Sequence, residues 1–81
     1  MTAKQAIPGI TVLGLKGLEC RTTPHIEIGV TKQGALIKDQ TLTILEAPRR
    51  YLRGTACVKF RIEKDPTEYY CFWSDFKKYI K

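Results

Sequence analysis

From Val58 to Ile62 apolar and charged side chains alternate without a break. Val58, Phe60 and Ile62 fall on one side, Lys59 and Arg61 on the other. A two-residue period places every second side chain on the same face of a pleated strand, so residues 56–62 read as a strand with one buried face. A helix would spread the same residues around its circumference. The pattern recurs. Leu42 and Ile44 alternate with threonines in residues 41–45, and Ile26, Ile28 and Val30 alternate with His25, Glu27 and Gly29 in residues 25–31. Such alternation, repeated along a chain of 81 residues, predicts one all-β (mainly β) domain spanning residues 1–81.

The intervening residues supply punctuation. Residues 1–6 show no period and read as a loose end. Residues 10–20 read as a strand bent at Gly14 and Gly17, because glycine inside a strand usually marks a bulge or a bend. Lys32-Gln33-Gly34 reads as a tight turn, with Gly34 supplying a positive φ. Residues 35–46 form an extended run interrupted at Lys38-Asp39-Gln40. Residues 47–55 hold Pro48, Arg49, Arg50, Arg53 and Gly54, and read as a long loop. Residues 63–68 read as a hairpin connection opened by Asp65-Pro66, and residues 69–73 as an aromatic return strand. Ser74 or Asp75 would cap a short helical turn, from which Phe76, Tyr79 and Ile80 pack back on the sheet at i, i+3, i+4 spacing. The count is five or six strands.

This order of elements resembles an SH3-like small barrel from residue 35 onward. A long first loop leads to the Lys38-Asp39-Gln40 turn and the Leu42/Ile44 strand. A variable loop follows, then two strands joined at Asp65-Pro66, then a helical turn at residues 74–78. The resemblance implies a five- to six-stranded barrel with a short C-terminal helical turn. It does not carry the ligand site of the peptide-binding members. The strand after the variable loop opens with Thr55-Ala56-Cys57 instead of a tryptophan pair, and no Ala-Leu-Tyr-Asp-Tyr stretch is present.

Charge narrows the function. The chain carries a net charge of +6. A basic balance suits an acidic partner: nucleic acid, an anionic membrane face or an acidic protein. The excess is concentrated. Residues 49–64 hold six cations against Glu63, and the last six residues hold Lys77, Lys78 and Lys81 with no acid. No apolar run approaches the ~18 residues of a membrane span and no secretory segment opens the chain, so a cytoplasmic location without membrane contact is expected. The three cysteines, Cys20, Cys57 and Cys71, cannot pair completely within one chain, so reduced thiols are expected. Their spacing with His25, the one histidine, matches no compact zinc motif.

Catalytic chemistry finds no support. Ser74-Asp75-Phe76-Lys77 matches S-x-x-K without its companion motifs, and Gly14-x2-Gly17 lacks the spacing of a phosphate loop. No enzyme, cofactor, metal site or small-molecule substrate is expected. The better signal is the hairpin of residues 56–73 with the arginine segment before it. A four-residue connection puts Tyr70 and Phe72 on the outer face; a five-residue connection puts Tyr69 and Trp73 there. Rings beside cations can stack bases while the cations track phosphates. The expected binding residues are therefore Arg49, Arg50, Tyr51, Arg53, Lys59, Arg61, Tyr70 and Trp73, with single-stranded nucleic acid the favoured ligand. The alternative is a protein-interaction module (an adaptor, a complex subunit or an inhibitor) docking on an acidic protein surface, since Tyr, Trp and Arg also dominate protein interfaces. A third reading needs no ligand: the rings could be covered by the domain's own loops and termini.

Overall fold

A computed structural model describes residues 1–23, 32–51 and 56–81. Its strands are β1 (Thr11–Gly14), β2 (Glu19–Arg21), β3 (Lys32–Ala35), β4 (Gln40–Arg50), β5 (Ala56–Ile62) and β6 (Tyr69–Phe72), followed by helix α1 (Trp73–Tyr79). They form one antiparallel sheet in the order β1-β4-β5-β6-β2-β3. The all-β class and the short C-terminal helix are as expected. Among the described residues no ladder joins β1 to β3. The alternating segment at residues 25–31 lies outside the described residues.

The core forms where the two-residue period is strongest. Leu42 lies opposite Ile62, and Ile44 opposite Phe60, across the β4–β5 ladder. Leu42, Ile44, Val58 and Phe60 are fully buried, and Leu18 and Phe76 close over them. Burying side chains of this size stabilises by roughly 1.5–3 kcal/mol each, which is what lets a short chain fold. Phe60 sits between two rings, Tyr69 at 6.4 Å and Phe76 at 5.7 Å. Cys20, Cys57 and Cys71 are buried and form no disulfide among the described residues. Burial pushes the Cys20 thiol up to about 12 and raises Cys57 and Cys71 as well, so all three stay protonated at neutral pH.

Several local expectations give way. Lys32–Ala35 is strand β3, not a tight turn; it pairs with β2, and Gly34 keeps its positive φ of 120° within the ladder. The run at residues 47–50 is not loop, because β4 continues to Arg50. Two irregularities in the β4–β5 ladder accommodate it, between Ile44 and Glu46 and between Glu46 and Arg49. Pro48 falls inside the second, where the ladder is already interrupted and a missing N–H costs least. Trp73 opens α1 instead of closing β6. Neither Ser74 nor Asp75 caps that helix: the N-cap is Phe72, with no side-chain cap. Both hairpin registers fail too. The ladder pairs Phe60 with Tyr69, Lys59 with Tyr70, Val58 with Cys71 and Cys57 with Phe72, leaving a longer connection.

Both ends of the chain are tied down. The expected loose start contains a 3-10 turn at Ala3–Gln5, where the Thr2 N–H donates to Gln5 Oε1 at 2.7 Å, and Ala6 is buried in the core. At the other end the Leu15 N–H donates to the Tyr79 carbonyl at 2.6 Å and the Lys81 N–H to the Leu13 carbonyl at 2.9 Å. These bonds bring the last residues alongside β1, with Gly14 bridged to Ile80.

Gly14 is required by close approach. A Cβ there would stand 2.6 Å from Leu42 Cδ1 and 3.1 Å from Leu36 Cδ1. Leu42 is fully buried and has nowhere to retreat. Gly14→Ala should therefore cost about 1–3 kcal/mol of stability. Urea unfolding checks this; an unchanged midpoint would show that Leu42 repacks freely.

Candidate binding face

The side of the sheet away from the core brings together four of the eight expected residues. Lys59 and Tyr70 are ladder partners and share this face, as do Arg49 and Cys57, and Glu46 and Lys59. Tyr51 follows directly after β4. Its ring meets Tyr70 edge to face, with centroids 5.8 Å apart and planes at 86°. The Arg49 guanidinium lies 4.9 Å from the Tyr51 centroid, and the Lys59 ammonium 5.9 Å from that of Tyr70. Arg49, Tyr51, Lys59 and Tyr70 are thus brought together.

Lys59 and Arg49 are already engaged by carboxylates. Lys59 Nζ lies 3.0 Å from Glu46 Oε2 and 3.0 Å from Glu68 Oε1. Arg49 Nη1 lies 3.2 Å from Glu46 Oε1. The hydrogen bond from Lys59, helped by Arg49, holds the Glu46 carboxyl below the usual carboxylate range. Lys59 in turn is raised, chiefly by its bonds to Glu46 and then Glu68. Burial is the main reason that the Tyr51 hydroxyl is raised.

The other expected residues lie apart from this group. Arg61 pairs with Thr43, further along β5, and its Nε is buried without a hydrogen-bond partner among the described residues. Arg50 pairs with Ala56 at the end of β4. Trp73 belongs to α1, where its ring stacks on Phe76 at 6.0 Å with Lys77 at 5.8 Å. Arg53 lies outside the described residues.

Four residues that complete the face were not foreseen. Glu46 and Glu68 supply its negative charge. Arg21 is buried, and its guanidinium stacks 4.5 Å over Phe72 with Glu19 at 3.9 Å. The outward placement of Tyr70 and Phe72 was legible in the four-residue register, although that register is wrong. The true ladder is offset from it by four residues, and an even offset leaves the faces unchanged. Their neighbours do change: Lys59 and Cys57 stand beside them instead of Glu63 and Arg61.

A groove of about 280 Å³ opens on another part of the surface, beside Leu36, Ile37, Ile62, Asp65 and Tyr69. None of the eight expected residues lines it. Its one carboxylate, Asp65, is engaged by the Thr67 N–H at 2.9 Å and the Tyr69 hydroxyl at 3.1 Å. Among the described residues no group of His, Cys, Asp and Glu could hold a metal ion, and no helix is long and apolar enough to cross a membrane. No protein-family model matches the chain, and no match was found among curated proteins or among solved structures.

Proposed function

We propose that the protein is a non-catalytic interaction module whose outer sheet face, centred on Tyr51, Tyr70, Arg49 and Lys59, docks on another protein. One observation carries this reading: Lys59 stands between Glu46 and Glu68 at 3.0 Å from each. A phosphate-tracking face needs cations with charge to spare, because its affinity comes from releasing the counterions of the nucleic acid. Here the cations are offset by neighbouring carboxylates, and the ring faces are covered by cations of the same chain. What the face offers instead is tyrosine and arginine held in fixed geometry, the residue types that dominate protein interfaces at low cost in lost side-chain freedom.

The test is affinity capture from source cells with and without nuclease, comparing the natural protein with Tyr70→Ala. A protein retained after nuclease digestion, and bound about tenfold or more weakly by the variant, is the expected result. Capture abolished by nuclease, or equal binding by both proteins, would overturn the reading.

A further inference from the structure

The spare positive charge lies elsewhere. Three short segments meet at the ends of β1 and β3. The Lys16 N–H donates to Asp39 Oδ1 at 2.8 Å, and the Gly17 N–H to the Leu36 carbonyl at 2.9 Å. The Leu15 N–H reaches the Tyr79 carbonyl, and a Cβ on Gly17 would lie 3.2 Å from the Tyr79 ring. The turn at residues 15–17 is therefore held between the turn at residues 36–39 and the last residues of the chain.

Each segment contributes exposed lysine: Lys16 from the first, Lys38 from the second, Lys78 and Lys81 from the third. No ion pair links any of these four to a carboxylate among the described residues. The one acid within these three segments, Asp39, is turned to the Lys16 backbone. Four cations against one carboxylate account for half of the net charge of +6.

We infer that this lysine cluster binds the phosphate backbone of duplex nucleic acid without reading sequence. Lysine is a compact point charge on a flexible stem, suited to phosphate and poorly suited to a bidentate base contact. Base stacking needs exposed ring faces. Tyr79 is the one aromatic here, 37% exposed with its ring against Gly17, so the surface favours a duplex backbone over splayed single strands. An interfacial membrane anchor needs a broad apolar face. Here a single side chain, Ile37 at 81% exposure, stands fully clear, and an isolated aliphatic among cations is the kind of wedge that minor-groove binders press against base steps.

The experiment is fluorescence anisotropy of a labelled 20-base-pair duplex against the full chain. Four phosphate contacts give a salt slope near −3.6, so affinity should fall about a hundredfold between 50 and 200 mM salt. The double variant Lys16→Glu/Lys38→Glu should bind about tenfold or more weakly. Lys4→Glu/Lys64→Glu removes the same charge at exposed positions outside the cluster and should change affinity only about two- to threefold. Circular dichroism confirms that both variants fold. Absent duplex binding at 50 mM salt would overturn the inference. Equal losses in the two variants would do the same, by showing that only net charge matters. Binding to vesicles containing 30% phosphatidylserine but not to duplex would overturn it in favour of a membrane, and tighter binding of single strands would move the site to the aromatic face.

Discussion

Phe60→Ala loses about 3–5 kcal/mol of stability, a quarter or more of what the domain has. The side chain is fully buried between Tyr69 and Phe76, and its ladder partner Ile44 is also fully buried. Truncation removes the transfer free energy of the ring and leaves a cavity that a two-stranded contact cannot collapse around. Stabilities of about 0.05–0.15 kcal/mol per residue put a chain of this size at roughly 4–12 kcal/mol in total. At about 4–8 °C of melting temperature per kcal/mol, the variant should melt at least about 12 °C lower or be unfolded at 25 °C. Phe72→Ala is the control. Phe72 is half-buried on the opposite face under Arg21, and its loss should cost less than half as much. Thermal melts followed by circular dichroism decide. Equal shifts for the two would mean that the core is not where alternation places it.

Lys59→Met acts on charge instead of packing, and its signature lies in pH. In the natural protein the Glu46 carboxyl titrates below its unfolded value because Lys59 and then Arg49 hold the charged form. A depressed carboxyl stabilises the fold above its unfolded pKa of about 4.3, and that contribution is lost as pH falls through the folded value. The natural protein should therefore weaken on acidification below about pH 4. Methionine keeps the stem but leaves Glu46 and Glu68 without the ammonium between them. Screening at the exposed Glu68 limits the cost at pH 7 to about 1–2 kcal/mol. Protonation then relieves the variant, so its stability should hold or rise between pH 7 and 4, and the two proteins should converge near pH 3. Parallel pH profiles from urea unfolding would show that Lys59 contributes packing alone.

These two residues mark the division between what a sequence shows and what it hides. Phe60 is legible as a core residue because period two is a local property: Val58, Phe60 and Ile62 announce their face without knowledge of any partner. The Glu46–Lys59–Glu68 group is not local. It depends on how β4 meets β5 and on the length of the connection to β6, and neither ladder follows the simplest register. Gly34 misled for a related reason. Positive φ is the mark of a turn residue, and here a strand residue adopts it. Pro48-Arg49-Arg50 reads as loop by composition, yet paired backbone on β5 holds Arg49 and Arg50 in strand. Arg21 gave no signal at all, because burying a guanidinium depends on a ring brought to it from β6.

The interrupted ladder of β4 has one more consequence. Beyond Ile44 this strand pairs with another strand on one side only among the described residues, since β1 pairs with residues 40–43 and the turn at Ala3–Gln5 touches β4 without pairing. Open edges of this kind recruit further strands, from another copy or from a misfolded neighbour, and so seed fibrils. An incoming strand needs an even row of donors and acceptors. The two irregularities break the spacing of that row, and Pro48 has no donor to offer. The same irregularities that carry Arg49 onto the outer face thus keep the edge beside it from templating aggregation.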